Sequence, residues 1–205
     1  MLGIINYGLG NIKSVTTAIE KIGSKYIILS EPKEFKKVKK LLLPGVGAFS
    51  KGMDNLKIKG LDDAIKKDVL INEKPILGIC LGMQLLATES EEYGLHSGLN
   101  LIPGRVIKID CKKFNYTIPH VGWNQIQQNN KSLLFKDIPN NTDFYFVHSY
   151  HYVNNKKEHV IGKSEYGVSI NSVINKKNIY GIQPHPEKSQ YYGLRLIKNF
   201  LKINY

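Results

Sequence analysis

The chain is poor in cysteine, arginine and tryptophan, with two, two and one of them among 205 residues. Two cysteines, Cys80 and Cys111, cannot build a disulfide framework, which removes the disulfide-rich secreted classes and fits a reducing cytoplasm. The arginine shortage matters because the net charge is +12 and the sequence pI is near 9.5. Proteins that read bases and phosphates rely on the planar guanidinium fork. Of the 29 basic residues only Arg105 and Arg195 carry one, and the lysines are scattered apart from KEFKKVKK at 33–40. The charge therefore reads as solvated faces and not as a nucleic-acid site. No apolar run approaches the roughly 18 residues of a membrane span. The opening MLGIINYGLGN lacks the basic start and cleavage site of a signal peptide and reads as a first strand. Internal repeats and low-complexity linkers are also missing, so the expectation is a single domain over 1–205, long enough to bury a full core.

Short apolar runs alternate with amphipathic ones through the first half. Strands are expected at 2–7, 25–30, 39–45 and 75–80, with helices at 11–22 and 61–71 between them. Strand–helix alternation with wholly apolar strands argues for a parallel sheet covered on both faces. The second half is richer in β-branched and aromatic runs, at 104–110, 143–153, 159–164, 167–174 and 178–183. These predict an antiparallel or mixed extension. An amphipathic helix over 189–203 closes the chain, with Ser189 as its N-cap. The fold class expected is α/β, a doubly wound and mostly parallel sheet flanked by helices, with an antiparallel extension.

One cysteine sits in a special context. PILGICLGMQLL, at 75–86, sets Cys80 between Gly78 and Gly82, after a buried strand and before the helix-like LGMQLLATES. That arrangement fits a nucleophile elbow, a sharp strand-to-helix turn that lifts the side chain out of the sheet. It puts sulfur at a helix start, where the dipole favours thiolate. It also turns the Leu81 N–H toward any oxyanion formed on an attacked carbonyl. Cys111, in DCKKF, has no such setting and reads as structural.

A thiolate nucleophile needs a base, and the base needs an orienting group. GIQPHPEKSQ offers His185 and Glu187. Pro184 and Pro186 bias this stretch to extended conformations, in which residues two apart share a side. Glu187 can then hold one imidazole nitrogen while the other faces Cys80. A third element is LLLPGVGAF, at 41–49, where Gly45 and Gly47 let backbone approach a ligand and let a peptide unit flip. An N–H from Val46 or Gly47 would complete an oxyanion hole with Leu81.

LLLPGVGAF, PILGICLGMQLL and GIQPHPEKSQ, in that order, resemble the class I (triad) glutamine amidotransferases. NYGLGNIKSV, GLNLIPGRV, IPHVGWNQI and FVHSY extend the resemblance over about 2–203, within the branch that serves histidine biosynthesis. The resemblance implies a Cys80–His185–Glu187 triad that hydrolyses glutamine through a glutamyl thioester. It implies that Gly47, Gln84 and Glu92, with the backbone at His148, Ser149 and Tyr150, hold the glutamine. It further implies a heterodimer with a (β/α)8-barrel cyclase subunit. That subunit receives the ammonia and makes imidazole glycerol phosphate and an aminoimidazole carboxamide ribonucleotide. Asn11, Trp123 and Lys188 match positions toward the partner. No cofactor or metal is called for. Relatives that feed a related barrel building an amidine on a bacterial sugar are the alternative. Two departures stand out: Asn6 replaces an acidic residue, and Pro184 replaces a bulky one before the catalytic histidine.

Overall fold

The computed structural model describes residues 1–110, 116–129, 131–154 and 156–203; Cys111 lies outside them. The first half is a run of strands and helices: β1 (Leu2–Ile5), α1 (Ile12–Lys21), β2 (Tyr26–Leu29), β3 (Lys40–Gly45), α2 (Phe49–Ile58), α3 (Leu61–Leu70), β4 (Ile76–Cys80) and α4 (Leu81–Leu85). The second half is nearly all strand: β5 (Glu89–Ser90), β6 (His96–Ser97), β7 (Gly104–Lys108), β8 (His120–Gln128), β9 (Thr142–His148), β10 (Tyr150–Asn154), β11 (Val160–Glu165), β12 (Ser169–Lys176) and β13 (Ile179–Ile182). Helix α5 (Gln190–Lys202) closes the chain.

Nine strands form the main sheet in the order β2-β1-β3-β4-β13-β12-β11-β8-β9. Pairing is parallel from β2 through β13 and antiparallel from β13 to β9. The α/β sheet with an antiparallel extension is thus the fold observed. A second sheet, β10-β7-β5-β6, was not expected. The run 143–153, expected as one strand, is in fact two. It breaks at Ser149, because β9 pairs with β8 in the main sheet and β10 with β7 in the small one.

Period-2 alternation divides the central strands between two cores. Ile5, Leu41 and Leu43 pack with Phe49, Met53, Leu56 and Ile65 of α2 and α3. Leu2, Ile4, Leu42, Leu77 and Ile79 pack with Val15, Ile19, Leu196 and Phe200 of α1 and α5. Helices on both faces explain why these strands read as unbroken apolar runs. Asn11 caps α1, its Oδ1 accepting from the Ser14 N–H at 3.1 Å.

Two local expectations are corrected. The helix after Cys80 stops after five residues. The carbonyls of Leu85, Leu86 and Ala87 accept hydrogen bonds from Leu99, Leu101 and Asn100 of a returning loop, so the helical ladder cannot continue. Ser189 stands at the start of α5, but its hydroxyl does not cap the helix. It donates to the His185 carbonyl at 2.6 Å and accepts from the Tyr145 N–H at 3.0 Å, pinning the His185 turn to β9.

Candidate active site

Parallel strands β4 and β13 lie side by side, so the residues leaving their C-terminal ends meet. Cys80 is the last residue of β4 and takes φ 52°, ψ −111°, a conformation that L side chains rarely adopt. It persists because the chain turns there against closely packed backbone. A Cβ at 78 would sit 2.6 Å from the Gly82 carbonyl oxygen, and one at 82 would collide with the Leu43 carbonyl. Both glycines of GICLG are therefore needed for close approach. The Cys80 side chain is mostly buried. Its sulfur lies 3.9 Å from the Val147 carbonyl oxygen, and the Gln183 Nε2 donates toward it at 3.7 Å.

His185 follows β13 and is buried. Its Nδ1 lies 2.7 Å from Glu187 Oε1. Glu187 belongs to a 3-10 turn, Pro186–Lys188, so the pairing comes from a turn and not from the extended segment expected. The other ring nitrogen, Nε2, is buried and has no hydrogen-bond partner among the described residues. Burial opposes a charge on this ring, but Cys80 and Glu187 outweigh it and push its pKa up to about 10. Pro184 costs the strand no hydrogen bond. The Gln183 N–H donates to Ser172 of β12 and the His185 N–H to Tyr145 of β9, each at 2.8 Å, so the missing donor falls where the chain switches partners.

A cavity of about 310 Å³ opens above these groups. Val46, Gly47 and Leu81, the expected oxyanion set, line it, with Gly47 at φ 111°. Gln84, Glu92, His148, Ser149 and Tyr150 line it too, so every residue expected at the glutamine site borders the same space as Cys80 and His185. Gln84 Nε2 donates to the Tyr150 carbonyl at 3.0 Å and to Gln183 Oε1 at 3.1 Å. Glu92 Oε2 accepts the Phe49 N–H at 2.6 Å, which ties its loop to the start of α2.

Two buried residues beside the thiol escaped the sequence reading. Gln183 bridges Gln84 and the sulfur; its only signal was a polar residue ending an apolar strand. Tyr7 carries a buried hydroxyl without a partner among the described residues, and a Cβ on Gly45 would collide with it. Burial, then the charge of Cys80, raises its pKa. Nothing in the spacing of NYGLGN marked it.

The three residues expected toward a partner lie outside this cavity. Trp123 is half exposed, and its ring meets Tyr145 edge-on at 6.0 Å. Lys188 Nζ stands 5.7 Å over the same Tyr145 ring. Asn11 and Lys188 border a second, larger cavity of about 520 Å³ with Lys13 and Lys21. Asn6, the other departure, accepts the Gly8 N–H at 3.2 Å on its side chain and a Lys59 ammonium on its carbonyl.

The family profile "Glutamine amidotransferase class-I" matches residues 3–203. The chain belongs to the class I glutamine amidotransferase family. Among curated relatives of this glutamine amidotransferase is the imidazole glycerol phosphate synthase subunit HisH of Sulfurimonas denitrificans, 46% identical over 98% of both chains. Subunit HisH 1 of Campylobacter jejuni strain RM1221 is 46% identical over 99% of this chain and 100% of its own. Subunit HisH 2 of Methanococcus maripaludis is 44% identical over 98% and 99%. Among solved structures, a glutamine amidotransferase superposes with TM-score 0.77 at 16% identity, covering 98% of this chain and 97% of its own. PurLQS from Thermotoga maritima superposes with TM-score 0.74 at 17% identity, over 98% and 96%. At these identities the two structures speak to the fold alone. As a family member the enzyme hydrolyses glutamine. No helix among the described residues is long and apolar enough to cross a membrane, and no cluster there could hold a metal ion.

Proposed function

We propose that this chain is the single-domain glutaminase subunit of an imidazole glycerol phosphate synthase, working in the cytoplasm in histidine biosynthesis. The observation that carries the chemistry is the trio at the meeting of β4 and β13. A strained cysteine sits beside an imidazole whose Nδ1 is held by a carboxylate at 2.7 Å and whose Nε2 is left free. In this reading the Cys80 thiolate attacks the side-chain amide carbon of glutamine, and negative charge moves to the amide oxygen. The Leu81, Val46 and Gly47 backbone forms the oxyanion hole. His185 gives its Nε2 proton to the departing nitrogen, the C–N bond breaks, and ammonia and a glutamyl thioester result. Water then attacks the thioester, His185 takes up its proton, and glutamate leaves as the C–S bond breaks. Glu187 orients His185 and supports its charge throughout. Gly47, Gln84, Glu92 and the backbone at 148–150 hold the amino acid.

The names of the relatives support a partner, because each is a subunit of a synthase. The partner proposed is a (β/α)8-barrel cyclase that takes the ammonia and makes imidazole glycerol phosphate and the aminoimidazole carboxamide ribonucleotide. It docks over Asn11, Trp123 and Lys188, just outside the turn that carries His185 and Glu187. The deciding assay is glutamate release from glutamine by the purified chain, alone and with the organism's cyclase barrel plus its ribonucleotide. Stimulation by about 10²-fold or more is expected, the worth of one oxyanion donor brought into line. Competent hydrolysis without stimulation would instead point to the sugar-amidine barrel.

A further inference from the structure

His120 and His148 face each other across the β8–β9 register, with His120 Nδ1 3.0 Å from His148 Nε2. Each ring's second nitrogen also has a partner, and both ends of the chain have a fixed sense. His148 Nδ1 lies 2.8 Å from the Tyr150 carbonyl, which can only accept. At the other end, Asn124 Nδ2 donates to the Glu165 carbonyl at 2.9 Å, which identifies that atom as the amide nitrogen. The same NH2 group reaches His120 Nε2 at 3.3 Å.

One arrangement of protons satisfies every link. Asn124 donates to His120 Nε2, His120 Nδ1–H donates to His148 Nε2, and His148 Nδ1–H donates to Tyr150. Both rings must be neutral. A proton added to either would set two N–H groups against each other at one of the links. Burial favours the same state, pushing His120 to about 4 and His148 to about 3. The chain ends where the backbone crosses from one sheet to the other. Ser149 is the single residue between β9 and β10, which belong to different sheets. Tyr150, whose carbonyl also accepts from Gln84, borders the cavity above Cys80.

We propose that His120 and His148 are positioning residues for glutamine: the oriented chain Asn124 to His120 to His148 to Tyr150 holds the 148–150 backbone in the conformation that receives the substrate. This rests on the glutamine site proposed above. Neither ring touches the reacting atoms.

Two variants separate the hydrogen-bond chain from packing. His120→Phe keeps a ring against Phe146 and Tyr166, whose centroids lie 4.7 and 3.9 Å away, but cannot donate. His120→Asn loses the ring but keeps an N–H where Nδ1 was. The KM for glutamine should rise about tenfold in His120→Phe, the size expected for one lost hydrogen bond, with little change in kcat. His120→Asn should recover most of that loss. The reverse order, or an unchanged KM in His120→Phe, overturns the proposal. A readout independent of turnover is the ring 15N spectrum of the wild-type protein. His148 should be protonated on Nδ1 and bare on Nε2; the opposite tautomer overturns the proposal even if the variants fail to fold. A wild-type chain that does not hydrolyse glutamine would defeat the glutaminase reading, while the 15N spectrum would still decide the proton chain.

Discussion

Two sets of buried histidines lie within a few residues of the same cavity, one charged and the other neutral. His185 has a carboxylate on one nitrogen and a thiol facing the other, and its pKa is raised to about 10. His120, His148 and His151 are buried and no carboxylate raises them; burial pushes them down to about 4, 3 and 4, with the neighbouring histidines, the charged His185 among them, lowering His148 further. Burial alone therefore does not fix the charge of an imidazole; the ionisable neighbours do. The difference suits the chemistry. In the proposed reaction the charged ring has a proton to give to a leaving nitrogen. The neutral rings keep an oriented line of hydrogen bonds and add no positive charge to compete with it.

Removing either ionisable neighbour of His185 should break this contrast, and the largest effect should come from the sulfur. Cys80→Ala is expected to lower glutamate release by about 10⁴-fold or more, the loss seen when a nucleophile is deleted. NMR titration should at the same time show His185 titrating lower than in the wild type. Turnover near the wild-type level would refute the triad. Next comes Glu187→Gln, which keeps the size of the side chain but removes its charge and the preference for one tautomer. A fall of about 10²–10⁴-fold in kcat is expected, with glutamine KM little changed. If KM alone moved, Glu187 would be holding substrate and not His185.

A smaller effect sharpens the comparison without any mutation. His185 has a folded pKa above its unfolded value, so it favours the folded state fully below about pH 6.5 and loses that contribution as pH rises toward about 10. The three low-pKa histidines act the other way. Their contribution is present above about pH 6.5 and is lost as pH falls toward about 4 to 3. Urea midpoints measured across pH should fall on both sides of a maximum, and Glu187→Gln should flatten the alkaline side only. Equal flattening of both limbs would mean that the two sets are not independent. The smallest effect on the isolated chain belongs to Trp123→Ala. Half exposed and outside the cavity, it should leave basal glutaminase within about twofold while reducing stimulation by the barrel about tenfold, as deleting a central aromatic anchor does. A loss of basal turnover would move Trp123 from the docking face into the site.

Much of this was legible in the chain. The strands at 2–5, 40–45 and 76–80 are wholly or largely apolar because the sheet is covered on both sides there, and that composition can be read without coordinates. GICLG was legible because a tight turn between close-packed backbones tolerates only glycine at 78 and 82. His185 and Glu187 were found through their two prolines, although a 3-10 turn and not an extended strand brings them together. The short length of α4 was not legible, since the groups that end it come from a loop more than ten residues later. The same holds for Ser189, whose hydroxyl is claimed by His185 and Tyr145 before it can cap α5.

By itself, then, the sequence determined the alternation of elements and the α/β class, and it picked out Cys80, His185 and Glu187 as the candidate triad that the fold then brings together. Those features rest on local periodicity, on backbone freedom at single residues and on short spacings. Only the tertiary structure decided which histidine carries charge and which stay neutral. It also decided that Gln183 and Tyr7 border the thiol, and that Asn124, His120, His148 and Tyr150 form one line. These depend on contacts between strands far apart in the chain, where the sheet register, and not sequence distance, sets who is whose neighbour.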